Sequence, residues 1–204
     1  MKYNISKETE IEYKSLLSRK KYKKLKKYFA KGSLNEKTYK QINYFFDTED
    51  FKLKAAKITL RIRKKEDGWE LTLKVSQEKL ANQLYNKKDE YNVEISPEEA
   101  KKILKSRELH LSSNPVFSVL KGIVNLELDT IFHLLGKLQT KRTDYTYQQD
   151  TISLDKNKYN KRIDYELEWE TNKTTLPQEL KDLGVKIGNA KGKRRRFLSS
   201  LNKK

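Results

Sequence analysis

The sequence has no cysteine and only two histidines among its 204 residues. Lack of cysteine excludes disulfides, thiolate metal sites and a cysteine nucleophile. His110 and His133 stand alone, without HxxxH or HExxH spacing, so ordinary structural roles are expected for both. Neither GxxxxGK(S/T) nor GxGxxG occurs, so a P-loop or a dinucleotide-binding turn is not expected. No stretch approaches the ~18 consecutive apolar residues of a membrane span. The segment Met1-Lys2-Tyr3-Asn4-Ile5-Ser6-Lys7 lacks the apolar run of a signal peptide. The expectation is a soluble cytoplasmic protein with no membrane partner.

Charge is abundant. Charged residues make up 36% of the chain, and the net charge is +18. Such a field attracts polyanions. Nucleic acid, a nucleotide or a polyphosphate would be steered equally well, so charge alone does not choose a partner. The apolar share is low, at 35%, but it is periodic and includes 2 Trp, 12 Tyr and 7 Phe. A chain of this length can bury a real core. With no repeat and no composition break, residues 1–204 read as one domain.

Eight segments read as strands: residues 8–14, 40–46, 57–64, 69–75, 90–95, 138–147, 151–156 and 162–170, six of them (all but 40–46 and 138–147) by their period-two alternation. Glu66-Asp67-Gly68 joins two of them as a hairpin, with Gly68 expected at positive φ. Arg19–Lys31 has helical spacing, with Ser18 as cap and Gly32 as stop. Ser96-Pro97-Glu98-Glu99 is a helix start with the makings of a capping box, and 97–107 is expected to be helical. Residues 76–87 read as a loop, and 115–135 as one or two short helices. The tail after Pro177 is short, mixed and basic. These elements predict an α+β fold: an eight-stranded antiparallel β-barrel with flanking helices, its interior wide enough for side chains or one small ligand.

Each strand has one apolar and one polar face. For a single strand, apolar-in and polar-out is the ordinary expectation. The polar faces are not a random mix, however. Glu10, Glu12 and Lys14 share one face, and Arg61 and Arg63 another. Lys74, Arg142 and Asp155 lie on further strands, and Glu166, Glu168 and Glu170 line the last. Acids concentrate on the first and last strands, which can be neighbours in a closed barrel. Residues i and i+2 share a face about 6.5–7 Å apart. Clustered carboxylate oxygens suit Mg²⁺ or Mn²⁺, and arginine forks suit phosphate. If polar faces turn inward, the apolar faces point outward and need cover from helices or from a second copy of the chain.

At this point the residues resemble a known family. Glu10-Ile11-Glu12-Tyr13-Lys14 resembles the ExExK signature of the CYTH superfamily, the triphosphate tunnel metalloenzymes. Leu60-Arg61-Ile62-Arg63 resembles its LRxR strand, and Leu71-Thr72-Leu73-Lys74 its LTLK strand. Thr140-Lys141-Arg142, Leu154-Asp155 and Tyr165-Glu166-Leu167-Glu168 resemble its later TxR, LD and ExE strands. Gly192-Lys193-Arg194-Arg195-Arg196 resembles its SKxxR segment, with glycine in place of serine. The matches run in order along most of the chain and look most like the small single-domain bacterial members.

The resemblance implies roles residue by residue. Glu10, Glu12, Asp155, Glu166 and Glu168 would hold Mg²⁺ or Mn²⁺, with Glu90 a lesser candidate. Lys14, Arg61, Arg63, Lys74, Arg142 and Lys193 would grip a triphosphate. Glu10, Glu12, Lys14, Arg61 and Arg63 would form the core of the catalytic set. Glu170 leaves a second registration open, in which Glu168 and Glu170 are the ligand pair; Glu166 and Glu168 is the preferred one. The implied activity is metal-dependent hydrolysis of a triphosphate: tripolyphosphate, ATP or thiamine triphosphate. Adenylate cyclase is the alternative, and a non-catalytic binder of polyphosphate, nucleotide or RNA a second. The lysines of Arg19–Lys31 and the neighbours of Lys193 are expected to be solvated, so nucleic acid is not the expected partner. Monomer and homodimer both remain open.

Overall fold

The computed structural model describes residues 3–33, 35–78, 83–147, 149–171, 173, 175, 178–188 and 190–201. Nine strands are present among them: β1 (Ile5–Leu17), β2 (Asn35–Asp47), β3 (Ile58–Lys64), β4 (Trp69–Ser76), β5 (Asn86–Ile95), β6 (Glu108–His110), β7 (Ile131–Tyr147), β8 (Asp150–Tyr159) and β9 (Arg162–Glu170). Six helices accompany them: α1 (Arg19–Gly32), α2 (Lys52–Ala55), α3 (Pro97–Ser106), α4 (Pro115–Lys121), α5 (Gln178–Asp182) and α6 (Lys193–Leu201). The strand order is β2-β3-β4-β5-β1-β9-β8-β7-β6, and a further β2–β7 pairing closes the sheet. Eight strands therefore form the antiparallel barrel expected from the sequence. The ninth, β6, is a three-residue strand paired with the start of β7. First and last barrel strands are neighbours, as expected, with Glu12 opposite Glu170 and Lys14 opposite Glu168.

Packing divides the residues into two compact units. The first comprises Met1–Thr9, Ile42–Ser76 and Lys88–Lys137. Its core sets Leu60, Ile62, Leu71, Leu73 and Val93 of β3–β5 with Leu53 of α2, Ala100 of α3 and Val116, Phe117 and Leu120 of α4. Burying each large apolar side chain contributes about 1.5–3 kcal/mol relative to leaving it in water. Local chemistry starts these helices. The Ser96 hydroxyl accepts the Glu99 N–H at 3.1 Å, and the Asn114 side chain accepts the Val116 N–H at 3.0 Å, with proline following each cap. The Glu99 carboxylate accepts the Tyr3 hydroxyl at 2.7 Å. The Asp47 carboxylate, fully buried, accepts the N–H groups of Leu53 and Lys54 in α2.

The second unit comprises Glu10–Gln41, Gln77–Lys87 and Leu138–Lys204. Tyr13, Ile152, Leu154, Leu167 and Trp169 form its core with Leu25 and Phe29 of α1 and Leu180 of α5. α1 begins where Ser18 accepts the Lys21 N–H at 3.2 Å. Trp169 keeps its polar atom satisfied by donating Nε1–H to Asp150 at 2.9 Å.

In each unit the helices cover the apolar strand faces. The opposite, polar faces are nevertheless buried: Thr72, Asp155 and Glu166 are 0% exposed and Arg61 7%. That excludes the ordinary sheet with a solvated polar face.

Several expectations need correction. Residues 131–135, read as part of a helical stretch, open β7, because Phe132 is drawn into the core by the pairing with β6. Gly68 does not take positive φ; its carbonyl accepts the Lys65 N–H at 2.9 Å and closes the hairpin without it. α1 runs through Gly32 and is capped at Ser33. α2, α5 and α6 were not foreseen; five-residue α5 and nine-residue α6 are too short for a clear periodic signal. In the loop expected at 76–87, residues 79–82 lie outside the described residues, while Asn86 and Lys87 already belong to β5.

Candidate active site

In an antiparallel sheet, directly opposed residues place their side chains on one face. In the second unit this rule builds a polar surface row by row. Arg142, Asp155 and Glu166 oppose one another across β7, β8 and β9. Ser153, Glu168 and Lys14 form the next row, and Thr151, Glu170 and Glu12 the third. Asp155, Glu166 and Glu168 converge: one carboxylate oxygen from each lies within 4.8 Å of the others, and all three are buried.

Basic groups are interleaved with these acids. Lys14 Nζ lies 2.9 Å from Glu12 and 2.6 Å from Glu168. Arg142 donates to both oxygens of Asp155, at 2.9 and 2.8 Å, and also to Glu168. Lys193 Nζ reaches Asp155 at 2.7 Å, Glu166 at 2.9 Å and Glu168 at 2.6 Å. Lys14, Arg142 and Lys193 therefore sit among the acids and not apart from them. The physical reason is burial: an unpaired charge at these depths is costly, and interleaving neutralises each one.

Helix α6 supplies Lys193 and, one turn on, Arg196. The buried Phe197 and Leu198 anchor the helix, Phe197 packing against Tyr159 with ring centres 6.4 Å apart. Asn160 donates to the Ser200 hydroxyl at 2.8 Å. Arg196 donates to both oxygens of Glu166, at 3.0 and 2.9 Å, and its Nε donates to Asp164 at 2.9 Å. Asp164 in turn accepts from Asn157 at 2.9 Å and from Tyr159 at 2.6 Å.

The electrostatic balance follows from these contacts. Burial favours the neutral form of Lys14, but Glu12, Glu168 and Glu166 outweigh it and hold the ammonium well above the usual lysine range. Burial likewise works against Glu168, yet Lys14, Lys193 and Arg142 hold it well below the usual carboxylate range. Burial opposes ionised Asp155 too, and Arg142 and Lys193 overcome it. Burial works against the charge on Lys193, and Asp155, Glu166 and Glu168 raise its pKa. Glu170 differs: burial, with Glu168, Glu10 and Glu12 nearby, outweighs Arg142 and lifts it to about 7.

A second polar cluster lies in the first unit. Arg61 meets Glu90 at 3.2 Å, and Lys74 pairs with the other Glu90 oxygen. Arg63 donates to Asn43 at 3.2 Å and meets Glu70 at 3.1 Å. All of these partners fall on the face fixed by register, since Arg63 opposes both Asn43 and Glu70, and Lys74 opposes Glu90.

The structure thus brings together Glu12, Lys14, Arg142, Asp155, Glu166, Glu168 and Lys193 from the expected set. It separately joins Arg61, Lys74 and Glu90, with Arg63 beside Asn43 and Glu70. Glu10 is half-buried, is not one of the three converging carboxylates, and acts on Glu170 through its charge. Arg196 and Asp164 were missed. Lys193 and Arg196 stand three apart, the spacing at which helix side chains share a face, so Arg196 was legible once α6 was recognised as a helix.

The strands of the closed antiparallel sheet thus bury acids and bases on the faces opposite the helices. The CYTH domain model matches residues 8–195, and the chain belongs to that family. A candidate triphosphatase of Bacillus subtilis, YjbK, is 27% identical over 98% of this chain and 99% of its own. The crystal structure of a candidate adenylate cyclase from Bacillus halodurans is 32% identical, with TM-score 0.77, over 94% of this chain and 98% of that one. A Hippeastrum protein described as an adenylyl cyclase candidate with a dominant triphosphatase activity is 25% identical, with TM-score 0.77, over 93% of this chain and 95% of that one. No helix among the described residues is long and apolar enough to cross a membrane.

Proposed function

We propose that this chain is a divalent-metal-dependent triphosphatase. The observation that carries the reading is the convergence of Asp155, Glu166 and Glu168 amid Lys14, Arg142 and Lys193. The donor set fits a hard cation: all the oxygens are carboxylate, and no cysteine or histidine is among them. Asp155, Glu166 and Glu168 would hold the ion, with Glu12 and Glu10 adjoining on the family pattern. When bound, Mg²⁺ or Mn²⁺ offsets charge on phosphate oxygens and acidifies a water.

The chain's own residues do the rest. Lys14, Arg142 and Lys193 stay protonated at neutral pH and supply positive charge for the negative charge of a triphosphate. Arg142 and Arg196 fix the orientation of Asp155 and Glu166 through two-point contacts, and orientation is a large share of catalysis in phosphoryl transfer. Burial excludes bulk water, which strengthens each charge contact. Arg61, Arg63 and Lys74 act as phosphate contacts on the family pattern. No side chain forms a covalent intermediate.

The name of the Bacillus halodurans relative favours adenylate cyclase as the second reading. One assay panel separates the two. Tripolyphosphate, ATP and thiamine triphosphate are incubated with Mg²⁺ or Mn²⁺, and phosphate and cyclic AMP are both measured. Phosphate release that disappears in Glu166→Gln and Glu168→Gln supports the triphosphatase. Cyclic AMP from ATP, dependent on the same residues, replaces it with the cyclase. Product formation unchanged in both variants would sink either.

A further inference from the structure

We infer that Lys193 is a tethered competitor of the divalent ion: its ammonium stands where the carboxylates converge, and metal binding must expel it. The inference rests on the proposed metal role of Asp155, Glu166 and Glu168. Among the described ion pairs, Lys193 alone spans all three, at 2.7, 2.9 and 2.6 Å. Arg142 meets two of them, and Lys14 and Arg196 one each. An ammonium with three donors directed at three carboxylates satisfies the same oxygens that an oxygen-seeking cation would. A Mg²⁺–oxygen bond is roughly 2.1 Å, shorter than these contacts, so the ion would draw the oxygens inward and leave no room for the ammonium.

The two cations that orient the carboxylates are differently placed. Arg142 and Arg196 hold Asp155 and Glu166 by planar two-point contacts. Lys193 is a point charge on a four-carbon stem and can swing away while its helix stays fixed. Helix α6 is fixed: Phe197 is fully buried and Arg196 is clamped to Asp164 and Glu166. Expulsion therefore needs side-chain rotation only. The displaced ammonium becomes available to phosphate, so metal and triphosphate binding are coupled through one residue, and linkage makes that coupling reciprocal. In the apo protein the same ammonium keeps three buried carboxylates from repelling one another.

Mn²⁺ titration followed by electron paramagnetic resonance of the free ion tests this on the wild-type chain, Lys193→Met and Lys193→Gln. Removing the competitor raises apparent affinity by the inverse of the fraction of molecules whose carboxylates are free, about tenfold if the ammonium is in place ~90% of the time. Both variants are also expected to melt lower than wild type in EDTA and to gain more from Mn²⁺, because binding to the folded state stabilises it. Equal or weaker Mn²⁺ affinity in both folded variants overturns the inference but leaves the metal site standing. Failure of wild type and both variants to bind Mn²⁺ overturns the metal reading and the inference with it, as does Mn²⁺ binding that survives in Glu166→Gln.

Discussion

Arg196 and Glu166 form a two-point fork, guanidinium nitrogens to carboxylate oxygens at 3.0 and 2.9 Å, with Glu166 wholly buried. Without Arg196, Glu166 keeps only Lys193, at 2.9 Å, as its partner among the described ion pairs. Losing a buried partner outright costs about 3–5 kcal/mol, and the remaining contact places the loss toward the lower end. Arg196→Ala is therefore expected to lower the melting temperature by roughly 10 °C in EDTA. Arg196→Lys keeps the charge but not the fork, so it should recover part of the stability and little of the phosphate release. A loss under 2 °C for the alanine variant would mean that the fork does not form in solution.

Glu166, Glu168 and Glu170 share a strand face, yet only the first two converge with Asp155. Loss of a preorganised charge at a reacting phosphate costs about 10²–10³-fold in rate. Phosphate release from tripolyphosphate is expected to fall by that much in Glu166→Gln and Glu168→Gln, and by less than tenfold in Glu170→Gln. The reverse order would assign the ligand pair to Glu168 and Glu170.

Glu170 also sets a pH dependence. Its folded pKa, about 7, exceeds the 4.5 of the free side chain. Between those values the folded protein holds a proton that the unfolded chain has released, so stability falls as pH rises toward 7. The stabilisation is fully present below the unfolded value and lost above the folded one. Glu170→Gln cannot ionise. Its stability relative to wild type should therefore rise between pH 5 and pH 8, by at most about 3 kcal/mol. Urea midpoints in EDTA at the two pH values measure this, and a constant difference would show Glu170 to be ionised throughout.

Much of this was legible in the sequence because strand period and chemistry coincide. The alternation of Glu166, Glu168 and Glu170 with Leu167 and Trp169 shows both the strand and its two faces. Only the clustering of one charge type on the polar face pointed inward, and the burial of Asp155 and Glu166 agrees. Pairing was not legible. Whether Lys14 faces a phosphate or Glu168 depends on the register of β1 against β9, which is a long-range property. Arg196 was obscured by its basic neighbours: in a run of four cations, only helix phase separates Arg196, clamped to Glu166, from the exposed Arg195. The short helices α5 and α6 draw their stability from Leu180, Phe197 and Leu198 in tertiary contact, and a local pattern of nine residues or fewer does not reveal that.

Glu90 separates two roles that its sequence position leaves open. As a metal ligand it would add a charge to the ion's shell, and Glu90→Gln would weaken Mn²⁺ binding. In the fold its carboxylate meets Arg61 at 3.2 Å and pairs with Lys74 through the other oxygen. Both bases are proposed phosphate contacts, so Glu90 acts as their counter-ion and holds them extended. On that geometry Glu90→Gln leaves Mn²⁺ affinity unmoved, since Glu90 pairs with Arg61 and Lys74 and no ion–ligand bond is lost. It changes KM for tripolyphosphate instead, because Arg61 and Lys74 lose the charge that orients them. Arg61→Ala should raise the same KM by about tenfold, the equivalent of 1.4 kcal/mol of charge-assisted binding. The double variant should cost less than the sum of the two, the sign of coupled residues. A tenfold loss of Mn²⁺ affinity in Glu90→Gln, with KM unmoved, would return Glu90 to the metal ligands.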